Sequence, residues 1–91
     1  MTRIAYRVVA SPGSTDEWFD DAPGADEAVA QHLGLVPGEV QRLRQRITVD
    51  PVVIRRDGAR WRSRQVWNVP AGTASVRIFE MLLINEELYE H

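Results

Sequence analysis

Apolar and polar positions alternate at period two from the start of the chain. In residues 3–10 (RIAYRVVA), Ile4, Tyr6 and Val8 alternate with Arg3, Ala5 and Arg7, the pattern of a half-buried strand. Residues 11–15 (SPGST) carry turn chemistry. The acidic stretch DEWFDDAPGADE predicts a short helix over 16–21, capped by Thr15 or Ser14, with Asp16 and Glu17 in its first turn. Pro23-Gly24 would end it. Residues 25–34 predict a second helix. Asp26 and Glu27 sit at its N-terminal end, Ala28 or Val29 joins Leu33 and Leu35 on its apolar face, and Gly34 is the stop. Pro37 suits the first position of a third helix reaching about Ile47. Val40, Leu43 and Ile47 there fall at helical spacing. The same residues also read as a strand, with Arg42, Arg44 and Arg46 on one face and Leu43, Ile47 and Val49 on the other. Both readings of 38–50 stay open.

Beyond this segment the pattern is extended. VVIRRD (52–57) and RWRSRQVWNV (60–69) flank Asp57-Gly58, a hairpin signal. Pro70-Ala71-Gly72 predicts a second turn. Residues 74–84 (ASVRIFEMLLI) read as a buried strand ending about Ile84, followed by a short helical tail. Trp61 and Trp67 are six apart, so a regular strand places them on one face with Ser63 and Gln65, and Arg60, Arg62 and Arg64 on the other. The expected fold is α+β: an N-terminal strand, two or three short helices, and an antiparallel hairpin or meander in the C-terminal half. Ninety-one residues suit one domain, 1–91.

Composition narrows the class. A 44% hydrophobic and 26% charged chain is ordinary for a globular protein. The absence of cysteine excludes disulfides, thiolate metal sites and a thiol nucleophile. No apolar run is long enough for a membrane helix or a secretory h-region, so a cytoplasmic location is expected, with no membrane partner. All 11 basic residues are arginine. The net charge of −2 hides a division. Arg42, Arg44, Arg46, Arg55, Arg56, Arg60, Arg62 and Arg64 crowd one stretch containing only Asp50 and Asp57, while acids dominate the rest. A basic block of this kind points to an anionic partner, nucleic acid first.

DEAVAQHLGLVPGEVQRLRQRI carries Ala30, Gly34, Val40 and Leu43 at the spacing of a helix-turn-helix. On these residues the segment resembles the bacterial helix-turn-helix regulators. VVIRRDGARWRSRQVW is similar to the basic hairpin of their winged-helix members, so the likeness covers about residues 26–67. The resemblance implies double-stranded DNA as partner, read by a homodimer because one short helix contacts few bases. Gln41, Arg42, Arg44, Gln45 and Arg46 would face the major groove. Arg55, Arg56, Arg60, Arg62 and Arg64 would contact phosphate. The chain departs from the family in its N-terminal strand, its short acidic first helix and Pro37-Gly38 at the head of the reading helix.

A second resemblance rests on RIAYRVVAS, DEAVAQHLGL, VPGEV and QRLRQRITVD. This order is similar to the UTRA effector-sensing domain of GntR/HutC-type regulators, although the chain is shorter than the usual domain. It implies a sheet that holds a small anionic or sugar-like effector, with Arg42, Arg44 or Arg46 as anion ligands and no DNA contact. A third, plainer expectation is an accessory protein docking through its acidic and basic faces.

No pattern supports an enzyme or a cofactor. His32 and His91 lack partners at ligand spacing, and Ser63 has no triad pattern. No glycine-rich phosphate loop is present. Asp16, Glu17, Asp20, Asp21, Asp26 and Glu27 match no calcium-loop spacing and read as a solvated acidic face.

Overall fold

The computed structural model describes residues 3–11 and 15–86. The chain runs β1 (Ile4–Ser11), β2 (Asp16–Phe19), α1 (Ala22–Leu33), α2 (Pro37–Leu43), β3 (Gln45–Arg46), β4 (Val52–Arg56), β5 (Ala59–Ala71) and β6 (Ala74–Glu86). Among the described residues the strands form one antiparallel sheet in the order β2-β1-β6-β5-β3, with β4 also on β5. The fold is therefore α+β, with two helices and an N-terminal strand as expected. The turn at Pro12–Ser14, the Ser14 cap, the expected helical tail past Glu86 and His91 lie outside the described residues.

The spine is the β5–β6 hairpin, 13 residues on each side. At about 3.3 Å per residue such strands reach about 43 Å, close to the 48 Å long axis of the molecule. β4 joins β5 through Asp57 (φ 51°) and Gly58 (φ 73°). Two consecutive positive φ values make a type I′ turn, whose twist matches the flanking strands.

The expected helix over 16–21 is not formed; Asp16–Phe19 is β2, paired antiparallel to Tyr6–Val9. Tertiary pairing overrides the local acidic-cap signal, because Trp18 and Phe19 gain more from covering opposite faces of the sheet than from a two-turn helix. The helix signal belongs one step later. Asp21 is the N-cap of α1 and accepts from the Gly24 amide at 2.8 Å. Pro23 and Gly24 thus open α1 instead of ending a helix before it.

α1 stops at Gly34, which holds φ 71°. The Leu35 amide donates to the Ala30 carbonyl at 2.8 Å, closing the turn. α2 is capped when the Val36 amide donates to Glu39 Oε1 at 3.2 Å. It ends at Leu43, short of the expected Ile47, and Leu43 stays exposed. The chain then becomes extended as β3 against Trp67 and Asn68. Residues 38–50 therefore combine the two readings: helix to Leu43, then strand.

Two apolar clusters lie on opposite faces of the sheet. Under the helices, Val8, Ala10, Val29, Ala30, Val40, Val69, Val76 and Ile78 form the larger one. On the other face, further along the hairpin, Ala5, Ala59, Trp61 and Met81 pack with Trp18, Ile54, Phe79 and Leu83. Full burial of an aliphatic side chain contributes roughly 1.5–3 kcal/mol, so Val29, Val40, Val69, Val76 and Ile78 anchor the helical layer. Trp61 and Trp67 do not share a face. The register slips between Gln65 and Trp67, leaving Val66 as the extra residue of a bulge. Trp67 therefore turns to the helices and Trp61 away from them.

Asp26 is buried, not solvated as the acidic stretch suggested. Gln41 Nε2 donates to it at 3.4 Å and Arg44 Nη1 at 3.4 and 3.5 Å. The Arg44 guanidinium lies 3.9 Å from the Trp67 ring centroid. This cluster ties α1, the end of α2 and β5 together. A buried pair of this sort fixes geometry more than it adds net stability.

Gly34→Ala places a Cβ in open space but forces an alanine into left-handed backbone. Urea unfolding should show a loss of about 1–2 kcal/mol relative to wild type, with the m-value unchanged.

Candidate functional site

The structure separates the ten arginine and glutamine candidates into two groups. Gln41 and Arg42 are on α2. Arg42 is the open one, its side chain 71% exposed with Glu39 at 3.8 Å. Gln41 and Arg44 turn toward Asp26. Gln45 and Arg46 are exposed but belong to β3, so no outward helical row joins Arg42, Arg44 and Arg46. Arg55, Arg56, Arg60, Arg62 and Arg64 lie on β4 and β5. Arg46 pairs with Trp67 and Arg55 with Arg60, about 20 Å apart along β5, with Arg62 and Arg64 on the strand between them.

The hairpin group divides again by face. Strand alternation puts Arg60, Arg62 and Arg64 together, with Arg55 opposite Arg60. Arg60 Nε donates to Asn85 at 3.1 Å and Arg64 pairs with Glu80 at 3.2 Å. Arg62 has no ion-pair partner among the described residues. Arg56 points to the opposite face, where its guanidinium lies 4.1 Å from the Trp18 ring centroid.

That second face holds a site absent from the sequence-derived set. Trp18 from β2 meets Trp61 from β5 edge-on, with centroids 5.1 Å apart at 71°. The sheet curls so that its β2 end comes over the β4–β5 hairpin. Between them a cleft of about 270 Å³ is lined by Arg3, Trp18, Phe19, Arg56, Trp61 and Leu83, among others. Arg3 lies 5.8 Å from the Trp61 centroid. Asp20 and Asp57 also border the cleft. The Arg56–Asp57 contact is loose, 3.5 Å with Asp57 almost fully exposed. No carboxylate pairs with Arg3 among the described residues. The cleft thus offers indole faces and two guanidinium groups, which attract anions and planar groups together.

An adjoining groove lies between Arg7, Asp16, Trp18 and Ile54. Arg7 holds Asp16 with both prongs of its fork, Nε at 2.8 Å and Nη2 at 2.6 Å. The hydrogen bonds from Arg7 keep the Asp16 carboxyl below its ordinary range, partly offset by desolvation. The Arg7 guanidinium is raised in turn. Arg7 and Arg77 both lie against the Phe79 ring, at 5.5 and 5.7 Å. On the helix side, a groove of about 370 Å³ between α1 and β2 carries Glu17, Glu27 and His32. Among the described residues no three His, Asp or Glu side chains converge to hold a metal ion. None of the described helices is long and apolar enough to cross a membrane.

Sequence reasoning missed Arg3, Trp18 and Phe19 because it assigned 16–21 to a helix. The one available signal was the pair of bulky aromatics at 18 and 19, which on a strand must serve opposite faces.

Because the folded-state pKa of Asp16 is depressed, its pair with Arg7 contributes stability above the unfolded carboxylate pKa. That contribution is lost as pH falls through the folded value. Thermal unfolding of Asp16→Asn should therefore show a flatter dependence on pH below the ordinary carboxylate range than wild type, with the two curves separating toward neutrality. Comparison of the chain with protein-family models, with curated proteins and with solved structures returns no match.

Proposed function

We propose that the chain is a ligand-sensing module whose effector is a small anion bound in the cleft between β2 and the β4–β5 hairpin, in keeping with the UTRA resemblance. The observation that carries this reading is the placement of the Arg3 and Arg56 guanidinium groups against Trp61 and Trp18 in a cleft of about 270 Å³. Sites for small ligands are concave, mostly apolar and furnished with a few polar groups. This one is near the lower end of their size range, which favours a compact ligand. Asp20 and Asp57 add negative charge at the border, so a singly charged anion is accommodated better than a multiply charged one. The arginines expected to serve as anion ligands, Arg42, Arg44 and Arg46, are not the ones at this cleft. Arg44 is already engaged by Asp26 and Trp67.

Duplex DNA is the second reading. Its support is the row of Arg60, Arg62 and Arg64, half-buried at Arg60 and exposed at the other two, spaced about 7 Å apart along one face of β5, a fair match to a phosphate backbone. The helix-turn-helix part contributes less to it. α2 has seven residues and begins Pro37-Gly38-Glu39, so an acidic side chain stands where a reading helix presents its first base contacts.

A panel of small organic anions, titrated while tryptophan emission is followed, tests the first reading. At least one should shift wild-type emission saturably. Arg56→Ala should weaken that binding by about tenfold or more, the scale of one lost charge-assisted contact. Arg62→Ala should leave it unchanged. If no anion responds while duplex DNA binds at low salt and Arg62→Ala weakens it, the DNA reading takes its place.

A further inference from the structure

The cleft between β2 and the β4–β5 hairpin carries charge of both signs. Arg3 and Arg56 line it, and so do Asp20 and Asp57. A site built only for an anion gains nothing from carboxylates in its wall, since each repels the ligand. Carboxylates there to hold the arginines in place would be paired with them. Asp57 meets this description loosely, 3.5 Å from Arg56 with its own side chain 88% exposed. Asp20 does not meet it. It is exposed, and among the described residues its side chain accepts no hydrogen bond and forms no ion pair. Arg3 is the basic counterpart, exposed and without a carboxylate among the described residues, its guanidinium 5.8 Å from the Trp61 centroid. One cleft therefore holds an acid and a base that do not neutralise each other.

The wall between these charges is apolar. Ala5 and Trp61 are buried, and Phe19 and Leu83 are half-buried. A ligand that satisfies the whole cleft needs a negative group, a positive group and an apolar body.

We infer that the ligand of this cleft is a zwitterion, an α-amino acid with an apolar side chain. The inference rests on the reading of the cleft as an anion site and narrows the anionic group to the carboxylate of such a molecule. That carboxylate lies toward Arg3 and Arg56. The Arg56 plane rests on the Trp18 ring, 4.1 Å from its centroid, and its edge donors stay available for a two-pronged contact. The ammonium lies toward Asp20, with Asp57 as the second acid, and the indole rings attract the same charge. The side chain covers Phe19 and Leu83. The charges of the wall cancel, two guanidinium groups against two carboxylates. A ligand of no net charge can therefore enter without leaving either sign unanswered. A plain monocarboxylate leaves Asp20 unmatched, and a plain amine leaves Arg3 unmatched.

Three forms each of leucine and phenylalanine test this by titration calorimetry near neutral pH: the free amino acid, its N-acetyl derivative and its amide. The N-acetyl form keeps only the negative charge and the amide only the positive one. For at least one of the two, the free amino acid should bind tightest, with each singly charged form about tenfold weaker or more, the scale of one lost charge-assisted contact. Glycine, which lacks the apolar body, should also bind about tenfold weaker or more. Asp20→Asn should weaken the free amino acid by a similar factor and leave the N-acetyl form as it was or tighter. Asp57→Asn should act in the same direction by less, and asparagine suits the positive φ of that turn. Near-UV circular dichroism verifies that both variants are folded. If the N-acetyl forms bind as tightly as the free amino acids, the zwitterion is overturned while the anion reading of the cleft stands. If the free amino acids bind tightest but neither aspartate variant reduces that preference, the assignment of the ammonium is overturned. If no form binds and no other organic anion does, the anion reading falls together with it.

Discussion

The structure depends on an exchange of buried faces along its sheet. Near the helices the buried side chains of β6 are Val76 and Ile78; further on they are Met81, flanked by Phe79 and Leu83. Strand alternation makes these opposite faces. β1 does the same, burying Val8 and Ala10 at one end and Ala5 at the other. A sheet covered by two short helices has only half of one face protected. The remaining half is stabilised by the sheet's own curl, which brings Trp18 over Trp61. The bulge at Val66 lets β5 follow this exchange, since without it Trp67 would face away from the helical layer.

The curl also decides where the arginines go. A charge block that is continuous in sequence is divided in space among the Asp26–Arg44–Trp67 cluster, the row on the outer hairpin face and the cleft, where Arg56 joins Arg3. Aromatic rings arrange much of this. Arg44, Arg56, Arg3, Arg7 and Arg77 each lie against a Trp or Phe ring. Guanidinium groups keep donors available at their edges while stacked, which lets a ring position a cation without neutralising it. Carboxylates take up an overlapping subset: Asp16 engages Arg7, Asp26 engages Arg44 and Glu80 engages Arg64, so Arg7 and Arg44 have a ring and a carboxylate at once.

Much of the scaffold was legible in the sequence. Leu33, Gly34, Leu35 and Val40 define a helix–turn–helix corner whichever partner the protein has, because the left-handed turn and its inward neighbours obey local rules. Asp57-Gly58 is equally local, and β1 and β6 announce themselves through apolar alternation. What could not be read depended on contacts distant in sequence. β2 has four residues, too few to establish a period, and its pairing with β1 is the whole reason it is extended. Asp26 resembles its acidic neighbours until α2 places Gln41 and Arg44 beside it. The Val66 bulge leaves no mark in composition, so the opposition of Trp61 and Trp67 was invisible. The cleft follows from these same long-range events, and so Arg3, Trp18 and Phe19 were missed, while Arg56 was found only as part of the basic hairpin.

The two apolar clusters differ in size, and this has a consequence for local stability. Among the described residues the helical cluster has ten buried members; the one around Trp61 has four. Cooperative opening needs less free energy where fewer apolar side chains are exposed by it. The far half of the hairpin, with β2 lying over it, is therefore the subunit of the fold that opens first, while the helical half keeps its packing. Any molecule seated between Trp18 and Trp61 acts on this weaker half, raising its opening free energy by mass action, and β5 and β6 join that half to the helical one.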